Sequence, residues 1–484
     1  MEPEEGVPPG TSSESHEAPQ AAASLASLTA GTPSRVKVIF EPTQTIPRFA
    51  AGPSSLVEFR GRLAFAVNRE NGARELWTSD GTEAGTVALK RFPPDPPPAF
   101  NVQVANLTPV GERLFFTVGD PAYGNELWVS DGTASGTRLV ADLSPGPEGS
   151  RLTSLTALGG ALTFFREVPG TDTTPARAEV WRSDGTATGT VRVLDLGSGT
   201  EVDSRTARAG TALVFFVRDT AGNTVAWRTD GTPAGTQSLR ALSGPEGYAP
   251  LEVNSRSGLA FFTSFDAQGA TTVWKSDGTR AGTVRLYTFV ADGRYPRLMT
   301  TLGAYLYVTL SNPADQRMAI FRLRLDGVGG KEHVATLSNP YASQPEAFPT
   351  LNTFSATADR LYFEQVIGSG GPAPRDTQLW VTDGTKAGTR LLHRPLSLSD
   401  EYGSPIFAVE SGLAFFAGYD DTFGIETWVT DGTVAGTRRL KDIAPGGGSS
   451  YPYGYTRVGA TVFFSAFDDT SANQLWKVPL LPGP

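Results

Sequence analysis

All eight tryptophans of this chain fall in copies of one motif, and that regularity limits the fold more than any other feature of the sequence. The first copy reads Glu75-Leu-Trp77-Thr-Ser-Asp80-Gly-Thr-Glu-Ala-Gly85-Thr86. It recurs around Trp128, Trp181, Trp227, Trp274, Trp380 and Trp428, and a shortened copy, Gln474-Leu-Trp476, stands near the end of the chain. A degenerate copy at Ile320-Phe321 is followed by Asp326-Gly327, with two extra residues before the Asp. Counting Phe321, successive aromatics are 51, 53, 46, 47, 47, 59, 48 and 48 residues apart. That period lies near the roughly 40–50 residues of a four-stranded propeller blade. A repeat also overrides the usual inference from length, by which 484 residues would suggest several domains.

Each unit carries four short strand signals. The first precedes a Gly-rich turn, as in Leu155-Thr-Ala-Leu158 before Gly159-Gly160. The second is Leu-x-Phe-Phe, as in Leu162 to Phe165; the third holds the Trp; the fourth follows the Gly-Thr pair, as in Arg138 to Leu143. β-branched and aromatic residues favour strands, Gly and Asp bound them, and no 3.6-residue periodicity competes. The chain therefore reads as all-β, a single closed propeller of four-stranded blades. Asp-Gly-Thr-x-x-Gly-Thr reads as the hairpin between strands three and four. There the carboxylates of Asp80, Asp131, Asp184, Asp230, Asp277, Asp383 and Asp431 accept from the N–H groups just after them. A calcium array is the alternative for these carboxylates, but a calcium loop stacks several oxygen ligands where this one offers a single carboxylate plus hydroxyls. No resident cofactor is expected. One large aromatic per blade, in phase, reads as packing between adjacent blades, so all eight Trp are expected in equivalent buried sites.

The pattern Glu-Leu-Trp-x-Ser-Asp-Gly-Thr-x-x-Gly-Thr resembles the bacterial ELWxxDGT repeat family, over about residues 30–478. The linkers Asp142 to Ser150 and Asp442 to Ser450 resemble that family's loop between repeats. The hairpin is similar in position to the Asp-box turn of sialidase propellers. The resemblance implies a propeller-like β fold in surface or secreted proteins and carries no established activity. Two copies depart from the pattern: the sixth lacks the Trp and the full turn, and Val225-Ala226-Trp227 lacks the Glu.

The chain ends complement one another. The last copy stops after its third strand, whereas Ala30-Gly31-Thr32 matches Ala435-Gly436-Thr437 and leads into Arg35 to Phe40, a fourth strand without a first three. Pairing the two completes a blade and covers two strand edges. The count is then nine blades, with an eight-bladed ring as the alternative if the sixth unit is displaced. Residues 1–29, rich in Pro, Ser, Glu and Ala, read as a disordered leader or linker, and 30–484 as the propeller.

Composition narrows function by exclusion. With 41 basic and 50 acidic residues the net charge is −9, and no Lys/Arg cluster suggests a nucleic-acid partner. No apolar run reaches membrane-spanning length. Cysteine is absent, and His333 and His393 read as separate outer-strand residues rather than metal ligands. No Ser/His/Asp set, phosphate loop or nucleotide fingerprint is present. The reading is a non-catalytic binding or scaffold propeller, extracellular or on the cell surface, with a glycan or protein partner at one face. The alternatives are a carbohydrate-active enzyme with paired carboxylates, or an intracellular interaction hub, because the written N-terminus carries no export signal. Ligand residues are sought off the repeat, in the crossings from strand four to the next strand one. There Glu246, Tyr248, Glu401, Tyr402, Tyr451, Tyr453 and Tyr455 are expected to converge on one channel mouth. The three alternate tyrosines 451, 453 and 455 would form a stacking strip for sugars if the segment is extended.

Overall fold

The structure, a computed structural model, describes residues 28–40, 52–69, 71–94, 103–344, 347–368, 376–396, 406–409, 412–470 and 472–483. Among these residues the chain forms strands and no helix. The strands make nine antiparallel sheets, eight of them built from consecutive segments in the order one-two-three-four. These blades occupy residues 52–92, 105–141, 151–198, 201–243, 253–289, 295–336, 349–393 and 407–439, and the ninth takes 453–482 together with the N-terminal strands. The sixth unit, despite its missing Trp, is a complete four-stranded blade, so the ring has nine blades and not eight.

Closure follows the complementary ends. Ser34–Lys37 pairs with Asn473–Pro482, setting Arg35 opposite Trp476. A second short strand, Leu28–Ala30, pairs with the tail of the same long strand, Leu28 opposite Pro482. Pairing thus begins two residues before the boundary read from composition. The seam is fastened by side chains as well. Gln474 accepts from the N–H of Ile39 (2.8 Å) and donates to the carbonyl of Phe40 (2.7 Å), and Arg35 pairs with Asp468 (2.8 Å). Ser465 and Tyr453 of the ninth blade both donate to the carbonyl of Pro53 in the first, which completes the circle.

The core lies in the seams between blades. One cluster joins Ala64, Leu76 and Phe92 of blade 1 to Leu114, Phe116 and Trp128 of blade 2. Each ladder aromatic stands at the same register. Trp77, Trp128, Trp181, Trp227, Trp274, Trp380, Trp428 and Trp476 face Phe65, Phe116, Phe164, Phe215, Phe262, Phe363, Phe416 and Phe464 across the sheet. Phe321 faces Val308. Full burial of all eight does not hold: Trp77, Trp128, Trp380 and Trp476 are buried, and Trp181, Trp227, Trp274 and Trp428 are half-buried. All eight stand in the third strand of their blades, where buried and half-buried copies alike are covered by a polar side chain from the preceding blade's outer strand. Lys90 lies over Trp128, Arg240 over Trp274, and the His393 ring sits 4.2 Å from Trp428. Burial holds the His393 imidazole below its usual range, and its Nε2 lies 3.0 Å from the carbonyl of Tyr419.

Antiparallel order fixes two unlike faces. Turns between strands one and two and between three and four open on one face, here called the hairpin face. Loops between strands two and three and the crossings between blades open on the other, the crossing face.

Candidate functional site

On the hairpin face every repeat residue has an internal use. In blade 1, Asp80 Oδ1 accepts from the N–H (2.8 Å) and hydroxyl (2.7 Å) of Thr82. The Thr82 hydroxyl oxygen accepts in turn from the Gly85 N–H, and Thr86 donates to the Thr82 carbonyl (2.6 Å). Ser79 Oγ lies 2.7 Å from Thr86 Oγ1 and accepts from the Gly81 N–H. The first Gly has a positive φ of 87°. The second is required by space, since a Cβ on Gly85 would lie 2.0 Å from the Asp80 carboxylate. The same Asp–Thr bonds recur at Asp131, Asp184, Asp230, Asp277, Asp383 and Asp431. The Thr hydroxyl and N–H hold the carboxyls of Asp80, Asp131 and Asp184 below the usual range. In blade 6, Asp326 still caps its turn at the Val328 N–H.

The hairpins also latch neighbouring blades. A cation from the preceding blade donates to a hairpin carbonyl of the next: Lys477 to Gly81 (2.7 Å), Arg138 to Gly185 (2.8 Å), Arg240 to Thr283 (2.7 Å) and Arg390 to Gly432 (3.1 Å). The motif's Glu is spent similarly. Glu75 and Glu179 accept from their own Trp indoles, Trp77 and Trp181. Glu126 and Glu426 instead hold the linkers that follow their blades. Glu126 accepts from the Ser144 N–H and Ser150 Oγ, and Glu426 from the N–H groups of Ile443 and Ala444 and from Ser450 Oγ. Burial pushes both carboxyls above their usual range.

The off-repeat residues separate. Tyr455 is buried between Phe415 and Phe464, its hydroxyl 2.9 Å from Thr427 Oγ1 and donating to the Phe416 carbonyl; burial raises its pKa far above the usual tyrosine range. Tyr453 is half-buried at the blade 9–blade 1 seam, donating to Pro53 and accepting from Asn473. Tyr451 is half-buried with a left-handed φ of 44°. The expected strip does not form, because the inner strand bulges between Tyr453 and Thr456, with Gly454 at φ 69°. A bulge adds a residue and resets the alternation on which the strip depended. Glu401 and Tyr402 lie outside the described residues. Glu246 is exposed on the crossing face between blades 4 and 5, and Tyr248 is 39% exposed there.

Of that set, Tyr248 borders a cavity. It measures about 330 Å³ and is lined by Glu201, Val202, Asp203, Phe216, Arg218 and Tyr248, among others. Blade 4 departs from the repeat at this place: its inner strand is split into Glu201–Val202 and Ala207–Ala209, and the four residues between leave the sheet. Within the gap Arg205 grips Asp203 through Nε (2.8 Å) and Nη2 (2.9 Å), donates to the Leu251 carbonyl (2.7 Å) and donates to the Tyr248 hydroxyl (2.9 Å). Its guanidinium lies 5.8 Å from the Tyr248 ring centre, and the Asp203 carboxylate holds its pKa above the usual arginine value. Phe216 floors the cavity, fully buried. Glu201 stands opposite Arg218 in the ladder, both exposed, neither side chain with a hydrogen bond or ion pair among the described residues. Glu201, Asp203, Arg205 and Arg218 escaped the sequence reading, which looked for aromatics in the crossings. Their signal was a charged run, Glu201 to Arg205, where an inner strand should begin.

Together the nine sheets and their closing strand define a β-propeller. No family model matches the chain, and no curated protein does. Solved structures similar to it include a prolyl endopeptidase (13% identity, TM-score 0.43, covering 79% of this chain and 55% of that one). Puromycin hydrolase is another (14%, TM-score 0.41, covering 77% and 59%). A third is the β-propeller domain of the Trilobed protease from Pyrococcus furiosus (11%, TM-score 0.36, covering 69% and 98%). The match thus spans a little over half the length of the first two proteins. Among the described residues no helix is long and apolar enough to cross a membrane, and no group of three His, Cys, Asp or Glu side chains is placed to hold a metal ion.

Proposed function

We propose that the chain is a non-catalytic binding propeller, working outside the cell or at its surface, with its ligand site on the crossing face at the blade 4–blade 5 seam. The observation that carries this reading is the contrast in how polar groups are used. The repeat's Asp, Thr and Glu groups are consumed in turns, latches and linkers, whereas Glu201 and Arg218 are left uncommitted beside a cavity with a buried apolar floor. Concave, mostly preformed sites with a few convergent polar groups are where ligands bind. The proposed membership of the ELWxxDGT repeat family, resting on the motif copies, supports the surface location. The test pairs two measurements. Cells of the native host are fractionated, with recovery outside the cytoplasm expected and recovery only in the cytosol contradicting the location. The purified protein is then screened against glycan arrays and isolated surface proteins, with Tyr248→Ala beside wild type. A ligand whose binding ignores that substitution would contradict the site.

A further inference from the structure

Three charged side chains line the blade 4–blade 5 cavity, Glu201, Asp203 and Arg218, and Arg205 stands beside them on Asp203 and Tyr248. The Asp203–Arg205 pair neutralises itself, and Arg205 spends its remaining donors on Leu251 and Tyr248. Glu201 and Arg218 stand across from one another, their side chains without an ion pair or hydrogen bond among the described residues. A charged ligand would meet one attractive and one repulsive group here. A neutral ligand bearing hydroxyls can use both, donating to the carboxylate and accepting from the guanidinium.

The aromatic wall points the same way. The Tyr248 ring is half open, yet its hydroxyl and one face are held by Arg205. Fixing a side chain before binding reduces the entropy lost on binding. A flat apolar face beside hydroxyl-binding groups suits a pyranose ring, whose faces are C–H and whose edge is hydroxyl.

The apolar surface does not stop at the cavity. Tyr248 pairs with Phe265 in an isolated antiparallel bridge, and Phe265 is 38% exposed. A Cβ on Gly269 would touch both the Phe265 ring and Ala291, which places blade 5's loop and the next crossing side by side. Val290 and Tyr295 follow, 69% and 58% exposed, with the Tyr295 ring edge-on to Phe348 of blade 7 at 5.8 Å. Exposed apolar side chains thus lie along the crossing face from the cavity to the crossings of blades 5 and 6.

We infer that this face binds a neutral polysaccharide chain, one unit seated between Glu201, Arg218 and Tyr248 and the following units laid over Phe265 and Tyr295. The inference rests on the reading of the cavity as the ligand site. It is tested by calorimetry with neutral hexasaccharides of β-1,4-glucan, β-1,4-xylan, β-1,4-mannan and α-1,4-glucan, their disaccharides, and hexagalacturonate as the charged control. One neutral hexasaccharide is expected to bind about tenfold or more tighter than its disaccharide. Tyr248→Ala and Arg218→Ala should each weaken it about tenfold, while Tyr248→Phe keeps most of the affinity. Phe265→Ala with Tyr295→Ala should reduce the hexasaccharide to the disaccharide's affinity, at unchanged melting temperature. Preference for hexagalacturonate would overturn the neutral ligand, and no binding by any neutral hexasaccharide would overturn the saccharide. A defined polypeptide ligand lost on Tyr248→Ala would also overturn the saccharide but leave the site standing. Saccharide binding untouched by Tyr248→Ala would overturn both.

Discussion

The two faces of the ring are made of the same strands and obey different rules. On the hairpin face seven turns repeat one hydrogen-bond pattern nearly atom for atom, from Asp80 to Asp431. On the crossing face the described connections diverge: Asp142 to Ser150 and Asp442 to Ser450 are gathered alike by Glu126 and Glu426, whereas 203–206 interrupts a blade beside a cavity. The difference teaches where a repeat protein has freedom. A hairpin whose Gly crowds its own Asp and whose carbonyls hold the preceding blade cannot change without loosening the ring. A crossing that carries no such double duty leaves its side chains free for a ligand.

The comparison breaks first at closure, where the largest effect is expected. A chain starting at residue 38 lacks both closing strands and should aggregate or lose its cooperative unfolding transition, because it leaves the edge beside Trp476 unpaired. A chain starting at residue 28 should unfold as the full one does. The absence of cysteine allows a positive version. Ser34→Cys with Lys477→Cys, directly opposite in register, should form an intramolecular disulfide that raises the melting temperature.

Next comes the aromatic ladder. Trp128→Ala, at a buried copy, should cost about 3–5 kcal/mol in denaturant unfolding. Trp227→Ala, half-buried, should cost less. Equal costs would mean that the solvent-facing edge contributes as much as the seam.

Blade 7 gives a test of pH. Glu364 follows the Phe that faces the ladder Trp, a position held by Ala66, Thr117, Ala417 and Ser465 in other blades. It is fully buried, accepts from Asn352 (2.7 Å), and burial pushes its carboxyl up to about 7. The folded state therefore holds this proton more tightly than the unfolded chain. Stability should be greatest below the ordinary carboxyl range and fall as pH rises to about 7, by on the order of 3 kcal/mol. Glu364→Gln should remove its share of that slope, between about pH 4.5 and 7, leaving the share of Glu126 and Glu426; an unchanged slope would place the titration elsewhere.

The ring, its hairpins and its closing strand were legible in the sequence because each rests on local chemistry. Asp-Gly-Thr fixes a turn wherever it occurs, and an orphan fourth strand has one place to go. The ninth blade shows the limit. Tyr451, Tyr453 and Tyr455 alternate in sequence, but the bulge at Gly454 sends Tyr455 into the core; the same bulge stands at Ser55, Asn106 and Ser154 of blades 1, 2 and 3, each left-handed, and the alternation of the tyrosines does not announce it. Likewise Glu126 and Ser150 are each visible as motif and linker, but their meeting is a property of the packed blade. The cavity residues lie where the repeat stops, so the repeat could not point to them.

The division between the faces is tested most directly by measuring melting temperature and saccharide affinity together on two matched pairs of variants. Gly136→Ala drives a Cβ to 2.1 Å from the Asp131 carboxylate, and Asp131→Ala removes the cap. Both should lower the melting temperature, Asp131→Ala by about 1–2 kcal/mol of stability, with affinity unchanged below the transition. Tyr248→Ala and Arg218→Ala should do the reverse, losing affinity at a constant melting temperature. A hairpin substitution that abolishes binding without loss of stability, or a Tyr248→Ala variant that melts as early as Trp128→Ala, would contradict the account.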